Sequence, residues 1–337
     1  MRALVLEKKG PPDSAITVKD WPEPAPGPGQ VLIDVRAAGI NFADLLARVG
    51  LYPDAPKNPC VMGYEVAGTV ASLGTGVDGY GVGDRVVAAT HFGGFAERAA
   101  ADVANVFRLP ESWTFEQGAA VPVNYGTAFA ALVKFANVRK GETVLVHMAA
   151  GGVGIAALQI LRSLGAEAIG TASASKHDAI RAQGAAHAID YRNQDVAKEV
   201  KRITEGRGVD VVLDALGEFR QSYKLLRAGG RLVIYGASNI ASGDRRNLVK
   251  AVREVARMPR FNPLRMMSQS KAVIGLNLLT LWDDRGSLEE VTTPLVGLMN
   301  QGAIEPVVAE AFPFDRAADA HRFIQDRKNI GKVVLTW

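Results

Sequence analysis

The fold class of this chain can be predicted from one segment, Thr143-Val-Leu-Val-His-Met-Ala-Ala-Gly-Gly-Val-Gly154. Its apolar, β-rich start predicts a buried strand, and the residues from Gly152 to Leu164 predict a helix. The intervening glycines predict a tight turn, although Ala149 stands where the first glycine is usual. Without a Cβ, Gly151 lets a pyrophosphate approach the backbone, and Gly154 permits close packing of helix and strand. The free N–H groups at the helix start complete a dinucleotide site, expected to comprise Ala150, Gly151, Gly152, Val153 and Gly154.

The residues that follow repeat the same alternation of strand and helix. Strand-like runs occupy 167–172, 187–191, 209–216 and 230–236, with helical segments at 177–183, 194–204 and 219–226. Such alternation requires right-handed crossovers and produces a parallel sheet. We therefore predict an α/β fold with a doubly wound, nucleotide-binding sheet over residues 123–264.

The residues before this domain have a different pattern of predicted secondary structure. Short β-rich runs at 1–6, 30–38, 65–72 and 84–89 are separated by Pro/Gly-rich turns, which predicts a compact, antiparallel, barrel-like domain. A further strand at 272–279, a helix at 288–300 and a last strand at 331–337 are expected to return to it. The expected first domain thus comprises 1–122 and 265–337.

Composition narrows the class of protein. The chain has 337 residues, 48% hydrophobic and 22% charged, which suits a soluble globular protein of roughly two domains. Its one cysteine, Cys60, excludes an intrachain disulfide and a cysteine-rich zinc lobe. The N-terminus lacks a signal-peptide core, and the uncharged stretches 117–133 and 143–161 are interrupted by proline or glycine. We expect a cytoplasmic protein without a membrane span.

The net charge of +4 is concentrated in one segment. Residues 244–265 contain seven basic and two acidic residues, so the rest of the chain carries about −1. This distribution argues against a general nucleic-acid surface. Apolar residues at helical spacing within 248–256 predict an amphipathic basic helix. Three roles stay open for 244–265: peripheral membrane contact, a lid over the substrate cleft, or a helix at a dimer edge.

The end of the second strand of the parallel sheet bears on the choice of cofactor. Sites selective for NAD place a carboxylate there, but Thr171-Ala-Ser-Ala-Ser-Lys-His177 has none. Hydroxyl and ammonium groups can instead hold a 2′-phosphate through charge-assisted hydrogen bonds. We predict NADP(H), with Ser173, Ser175 and Lys176 at the phosphate and Tyr191 and Arg192 beside the adenine. The alternative is that Lys176 only begins a solvated helix.

Several motifs resemble those of a known superfamily. The chain contains Gly39-Ile-Asn-Phe-Ala-Asp44, Gly63-Tyr-Glu-Val-Ala-Gly68, Val82-Gly-Asp-Arg-Val86 and Asn329-Ile-Gly-Lys-Val333. With the glycine turn, these motifs make the chain similar over its whole length to the zinc-free quinone oxidoreductase branch of the medium-chain dehydrogenases/reductases. Within that branch, Tyr235-Gly-Ala-Ser-Asn239, Gly243-Asp-Arg-Arg-Asn-Leu248 and Asn300-Gln-Gly302 most resemble the vesicle amine transport protein 1 (VAT-1) group. The resemblance implies a GroES-like catalytic domain around a Rossmann domain, a homodimer, and cofactor contacts from Asn329 and Lys332.

The same resemblance bears on metal binding. In zinc-dependent relatives, two cysteines and a histidine hold the metal, and the matching positions here are Asn41, Tyr64 beside Glu65, and Ala119. None of these three can supply a thiolate or imidazole ligand. We therefore expect no catalytic metal.

Without a Lewis acid, reduction of a plain carbonyl loses its main oxyanion stabiliser. Quinones and conjugated enones spread the charge over a π system and require only hydrogen-bond donors at the oxygen. The resemblance gives four candidates for the catalytic site: Tyr52, Asn41, Tyr64 and Thr127. Tyr64 can also be read as a core aromatic, and Asn41 and Thr127 as backbone anchors. Leu46 stands where some bacterial quinone reductases carry a pocket tyrosine.

These observations predict an NADPH-dependent reductase of quinones or α,β-unsaturated carbonyls, acting by direct hydride transfer without zinc. One alternative is an enoyl or alkenal double-bond reductase of a biosynthetic pathway. Another is a non-enzymatic, membrane-associated NADPH-binding protein of VAT-1 type. The sequence identifies neither the physiological acceptor nor the face of the hydride transfer.

Overall fold

The computed structural model describes residues 1–240, 248–285 and 288–337, without the side chains of 240, 248–251 and 285. The chain divides into two compact units. The first contains Met1–Gly126 and Trp282–Trp337, and the second contains 127–240 and 248–281 of the described residues. Each unit has its own sheet system, so the two are described separately.

The first unit is largely antiparallel. In its N-terminal part the strands are β1 (Arg2–Leu6), β2 (Ile16–Asp20), β3 (Gln30–Ile40), β4 (Cys60–Val61), β5 (Glu65–Leu73), β6 (Arg85–Ala89), β7 (Arg98–Asp102) and β8 (Val106–Arg108). The helices are α1 (Pro12–Ala15), α2 (Phe42–Val49), α3 (Phe115–Gly118) and α4 (Pro122–Phe129), the last of which runs into the second unit.

The second unit alternates strands and helices. After a π-helical turn at Ala130–Phe135 come β9 (Thr143–Val146), α5 (Gly152–Leu164), β10 (Glu167–Ala172), α6 (His177–Ala182), β11 (Ala185–Asp190), α7 (Val196–Ile203), β12 (Val209–Asp214), α8 (Phe219–Leu225), β13 (Leu226–Ile234), α9 (Leu248–Arg257), α10 (Pro263–Gln269) and β14 (Ala272–Gly275). The chain then returns to the first unit through α11 (Leu278–Arg285), α12 (Glu289–Asn300), β15 (Val308–Pro313), α13 (Ala317–Gln325) and β16 (Lys332–Thr336).

The sheet of the second unit confirms the predicted doubly wound fold. Its six strands lie in the order β11-β10-β9-β12-β13-β14, and every pair is parallel. From β9 the chain adds β10 and β11 on one side of the sheet, and it then adds β12, β13 and β14 on the other side. This change of direction places β9 at the topological switch point, where such sheets bind ligands. The strands are apolar because helices cover both faces: Leu145, Ile169, Val212 and Leu232 are almost completely buried in one core.

In the first unit, the long strand β3 organises the main sheet. That sheet has the order β15-β16-β3-β5-β6-β8, with β7 also paired to β3, while β2-β1-β4 form a smaller sheet. All pairs are antiparallel except β15 with β16. This arrangement brings the starts of α2, β5 and β16 together, because β16 and β5 flank the end of β3 that leads into α2.

The expected return to the first domain at residue 265 differs from the structure. The strand expected over 272–279 ends at Gly275, and it pairs in parallel with β13 of the second unit. The return comes at Trp282, within α11. The apolar run predicted a strand correctly, but the strand is the half-buried edge strand of the second unit's sheet, and the local pattern does not specify β13 as its partner.

The basic amphipathic helix is confirmed as α9, over Leu248–Arg257. Its residues Val252 and Val255 are 65% and 55% exposed, so these two apolar side chains are not covered by the described chain. Residues 244–247 of the basic segment lie outside the described part. None of the helices that the structure describes has the length and hydrophobicity needed to cross a membrane.

Candidate active site

The glycine turn between β9 and α5 leaves a helix N-terminus open to a ligand. Gly151 precedes the helix, and its N–H donates to the Met148 carbonyl at 2.8 Å. A Cβ on Gly154 would lie 2.5 Å from that same carbonyl oxygen and 2.6 Å from the Ala149 oxygen, so only glycine allows α5 to begin this close to the turn. Free N–H groups at the start of a helix such as α5 are suited to binding an anion.

The buried side chain of His147, just before this turn, is held by hydrogen bonds. His147 is 4% exposed, and its Nε2 lies 3.2 Å from Ser222 Oγ, which donates to Asp214 Oδ2 at 2.7 Å. Because that serine hydrogen is already used, Nε2 must be the protonated nitrogen, and Nδ1 accepts from Thr171 Oγ1 at 3.3 Å. Burial lowers the pKa of His147, against the opposing charge of Asp214. A neutral histidine therefore links β9, β10 and α8. Sequence reasoning treated His147 only as an interruption of an apolar run.

The expected 2′-phosphate and adenine residues lie at one edge of the sheet. Ala172 and Asp190 are register partners, so the segments that follow β10 and β11 are neighbours. Ser173 Oγ and Ser175 Oγ are 3.5 Å apart, and a short 3-10 helix carries Lys176. On the adjacent strand end, the Arg192 guanidinium lies 5.9 Å from the centre of the Tyr191 ring. All five predicted residues are thus grouped at the end of the two strands.

Asp190 is the carboxylate nearest to this group in sequence, and its oxygens are already engaged. It accepts from Asn193 Nδ2 at 2.6 Å and from the Arg192 backbone N–H at 3.1 Å. These hydrogen bonds, the first of them the stronger cause, lower the pKa of Asp190. The carboxylate therefore shapes the turn after β11.

In the first unit, three polar side chains form a buried cluster at the starts of α2, β5 and β16. Lys332 Nζ donates to Asn41 Oδ1 at 2.7 Å and to Glu65 Oε1. Asn41 Nδ2 donates to Glu65 Oε1 at 3.0 Å and to the Gly39 carbonyl at 3.4 Å. The second Glu65 oxygen accepts from the Val123 backbone N–H at 2.8 Å. Each group in the cluster is satisfied by another.

This cluster changes the expected roles of two residues. Asn41 was a candidate donor to the substrate, but both of its amide hydrogens point to internal acceptors. Lys332 was a candidate cofactor contact, but its ammonium is buried against Glu65. Asn329, the other cofactor candidate of that motif, donates from Nδ2 to the Gly331 carbonyl at 2.9 Å. In the structure, Asn41 and Lys332 therefore hydrogen-bond within the protein.

Asp44 lies directly behind this cluster, in the first turn of α2. Its Oδ2 accepts from the Asn41 backbone N–H at 2.7 Å, whereas Oδ1 is buried and has no hydrogen-bond partner among the described residues. Burial raises the pKa of Asp44 to about 7. An unpartnered oxygen in a dry environment favours the protonated carboxyl.

Two tyrosines near the cluster of Lys332, Asn41 and Glu65 carry hydroxyl groups that can donate hydrogen bonds. Tyr64, next to Glu65, is 6% exposed, and its hydroxyl has no hydrogen-bond partner in the part of the chain that the structure describes. The Tyr52 ring stands edge-on to it, with centroids 6.4 Å apart. Burial raises the pKa of Tyr52 to about 12 and raises that of Tyr64 further. Both phenols remain protonated at neutral pH and can donate to an oxygen.

The structure groups three of the four catalytic candidates. Asn41, Tyr52 and Tyr64 all belong to the first unit, while Thr127 lies on α4 in the second unit and is almost completely buried. Ala119, the third position matching a zinc ligand, is fully buried. Among residues 1–240, 248–285 and 288–337, no group of three or more His, Cys, Asp or Glu side chains could hold a metal ion.

Two family models match the chain: the alcohol dehydrogenase GroES-like domain over residues 27–111 and the zinc-binding dehydrogenase over residues 183–335. The synaptic vesicle membrane protein VAT-1 homolog of Rattus norvegicus is 43% identical over 99% of this chain and 84% of its own length. The chain belongs to the VAT-1 family of the medium-chain dehydrogenase/reductase superfamily.

Solved structures place this VAT-1 family member beside two kinds of reductase. The Escherichia coli quinone oxidoreductase complexed with NADPH is 30% identical, with a TM-score of 0.86 and coverage of 100% of both chains. The CurK enoyl reductase is 29% identical, also with a TM-score of 0.86, covering 99% of this chain and 98% of its own. The predicted combination of GroES-like and Rossmann-type folds is confirmed. As a superfamily member the protein is an oxidoreductase, and the comparisons leave its acceptor open.

Proposed function

We propose that this protein is an NADPH-dependent reductase of quinones or α,β-unsaturated carbonyls that works without a catalytic metal. The observation that carries the proposal is the buried hydroxyl of Tyr64, which has no partner among the described residues and stands beside the phenol of Tyr52. A buried donor without an acceptor costs about 1–3 kcal/mol, so a substrate oxygen at this position restores a lost hydrogen bond.

The residues present fit NADP(H). Gly154 and the open start of α5 suit the pyrophosphate, and the hydroxyls of Ser173 and Ser175 with the Lys176 ammonium suit a 2′-phosphate. Tyr191 and Arg192 supply an aromatic ring and a planar cation for the adenine side. The bound cofactor supplies the hydride.

The phenols stabilise the negative charge that develops on the acceptor oxygen. Their raised pKa values mean that they donate hydrogen bonds without losing protons at neutral pH. Two neutral donors suffice for a quinone or enone, because conjugation spreads the added charge. The cluster of Lys332, Glu65 and Asn41 fixes the backbone directly after Tyr64 and at the start of α2.

The first experiment is to follow the loss of NADPH at 340 nm with a panel of quinones and enones. NADH is run in parallel, and each assay is repeated with a chelator. We expect turnover that requires NADPH and is unaffected by the chelator. Stoichiometric zinc in the purified protein, with activity abolished by chelation, would contradict the metal-free mechanism.

A second candidate is the reduction of the double bond of an enoyl thioester. The similarity to an enoyl reductase supports it, because the same Tyr64 hydroxyl can donate a hydrogen bond to a thioester carbonyl oxygen. Enoyl thioesters therefore belong in the acceptor panel. Saturable NADPH binding without turnover on any acceptor would instead favour the non-enzymatic function.

A further inference from the structure

Reduction of a conjugated carbonyl consumes a proton as well as a hydride, and the two tyrosines are poor sources of that proton. Burial raises the pKa of Tyr52 to about 12 and that of Tyr64 beyond it, so both phenols hold their protons firmly and are suited to donating hydrogen bonds. A second group near these rings that is exposed to water is a better source of the proton. This inference rests on the proposed function.

His91 lies in a loop that is attached to Tyr64. The preceding residue, Thr90, donates its backbone N–H to the Tyr64 carbonyl at 2.8 Å and its hydroxyl to the Gly63 carbonyl at 3.1 Å. The following residue, Phe92, has its ring centroid 5.2 Å from that of Tyr64 and 5.2 Å from that of His91. The Phe92 ring thus lies in contact with both the Tyr64 ring and the His91 imidazole.

Two residues of α11 fix the orientation of this imidazole. Asp283 Oδ1 lies 2.5 Å from His91 Nε2, and the Trp282 ring stands edge-on to the imidazole with centroids 5.3 Å apart. Phe92 and Trp282 are uncharged, so Asp283 is the charged group in contact with the ring. Its negative charge also acts on Tyr52, where it is one of the weaker causes of the raised pKa.

The contact with Asp283 also selects the nitrogen that exchanges a proton. A carboxylate accepts from Nε2–H, so Nε2 keeps its proton in both charge states of the ring. Nδ1 makes no hydrogen bond to any residue that the structure describes. The side chain is about half exposed, at 47%, so Nδ1 can be recharged from bulk water.

We infer that His91, oriented by Asp283, delivers the proton that completes the reduction of the acceptor. The acceptor gains a hydride and becomes an enolate or a hydroquinone anion. The Nδ1–H bond of the imidazolium then breaks, the proton passes through water, and a C–H or O–H bond forms on the reduced acceptor. The neutral imidazole regains its proton from solvent, so charge and atoms balance in each turnover.

The experiment compares His91→Gln with wild type in the NADPH assay, using the best acceptor of the panel. We expect kcat of the variant to fall roughly 10²-fold, within the usual range for general acid catalysis, with little change in KM. In a His91→Gly variant, added imidazole restores turnover, which a purely structural role would not allow.

The chain provides a matched control. His187 forms a comparable exposed pair with Glu167, at 3.0 Å, on the second unit. His187→Gln is expected to keep wild-type kcat. Asp283→Asn is expected to lower kcat, because the neutral amide holds the Nε2–H tautomer less firmly than the carboxylate does.

A His91→Gln variant with wild-type kcat at every pH would overturn the inference while leaving the reductase proposal intact. A fall in kcat that added imidazole does not restore in His91→Gly would also overturn it. Absence of NADPH oxidation by the wild-type protein is a different result, because it contradicts the proposed function itself.

Discussion

Lys332 Nζ lies 2.7 Å from Asn41 Oδ1. The position of Asn41 matches that of a metal ligand in zinc-dependent relatives. In this protein a buried ammonium, neutralised by Glu65, provides the positive charge around which α2, β5 and β16 are arranged. The amide of Asn41 completes the hydrogen bonding of both ions. The cluster therefore gives the residue next to Glu65, Tyr64, a rigid backbone.

Removal of the ammonium should be costly for the fold. Lys332→Met leaves Glu65 buried without a counter-ion, and we expect the free energy of unfolding to fall by about 3–5 kcal/mol. Urea denaturation followed by circular dichroism measures this change. In Lys332→Met with Glu65→Gln, no uncompensated charge remains, so part of the loss should be recovered.

The exposed pair Lys328 and Asp326, with nitrogen and oxygen 3.1 Å apart, is the control. Lys328→Met should change the unfolding free energy by less than about 1 kcal/mol. A Lys332→Met variant as stable as Lys328→Met would show that the buried pair is not required.

Asp44 should make the protein less stable as the pH rises towards neutral. Burial raises its pKa to about 7, from 3.8 for an ordinary aspartate, so the folded state holds a proton that the unfolded state has released between these values. The Asp44 contribution to stability is thus complete below about pH 4 and is lost as the pH rises through about 7. Asp44→Asn keeps an acceptor for the Asn41 N–H and removes the titration.

Urea titrations at several pH values between 4 and 8 measure this effect. The difference in unfolding free energy between wild type and Asp44→Asn should shift in favour of the variant as the pH rises. A difference that stays constant over this range would show that Asp44 is ionised throughout.

The sequence was most informative where neighbouring residues determine the structure. The helix expected over 152–164 and the strand over 167–172 have those bounds in the structure, because a glycine turn and a continuous apolar run are local signals. The helices Phe42–Val49 and Ala317–Gln325 were not predicted. Both lie in the first unit, where packing against strands distant in sequence determines which segment is helical.

The candidate site was predicted in part for the same reason. The residues of the glycine turn and of the two following strand ends are close in sequence, and the parallel sheet brings them together. Lys332 and Asn41 are 291 positions apart, so the hydrogen bond between them could not be predicted from the spacing of residues. His91 and Asp283, separated by 192 positions on a loop and a helix, gave no local signal at all.

Tyr64→Phe should reduce activity and leave the protein as stable as wild type or more stable. The hydroxyl has no partner among the described residues, so its removal relieves a cost of about 1–3 kcal/mol in the fold. The acceptor oxygen loses a donor, and kcat/KM should fall roughly 10²-fold, as for other oxyanion donors. Steady-state kinetics and urea denaturation of the same preparation test both effects.

Tyr80→Phe is the matched control, because its hydroxyl donates to the Val106 carbonyl at 2.7 Å in the same unit. That variant should lose stability and keep wild-type kcat/KM. Tyr64→Phe with wild-type kcat/KM would remove this hydroxyl from the proposed site.

Lys176→Ala should weaken binding of NADPH and spare NADH. A charged hydrogen bond to the 2′-phosphate is worth about 1.5–3 kcal/mol, so we expect the Kd for NADPH to rise roughly ten- to a hundredfold. Isothermal titration calorimetry with both cofactors measures this. Arg181→Ala, which removes the partner of Asp178 on α6 nearby, should leave both Kd values unchanged. Equal affinities of Lys176→Ala and wild type for NADPH would contradict the phosphate assignment.

The edge of the parallel sheet should form a homodimer interface. Among the described strands β14 pairs only with β13, so its other edge has no strand partner in the described part of the chain. The preceding helix α10 exposes Leu264 and Met267, each 72% accessible. A two-fold contact that joins two β14 edges would bury these residues. Analytical ultracentrifugation should show a dimer for wild type and a monomer for the double variant Leu264→Asp, Met267→Asp.

Val82, also 72% exposed but on the first unit, provides the control: Val82→Asp should remain dimeric. The competing role for this basic region is contact with an anionic membrane, which co-sedimentation with phosphatidylserine vesicles at low salt detects. Because a buried interface withdraws Leu264 and Met267 from lipid, the wild-type dimer should stay in the supernatant. A wild-type monomer that pellets with these vesicles, and no longer does so after the double substitution, would refute the dimer and assign the surface to lipid.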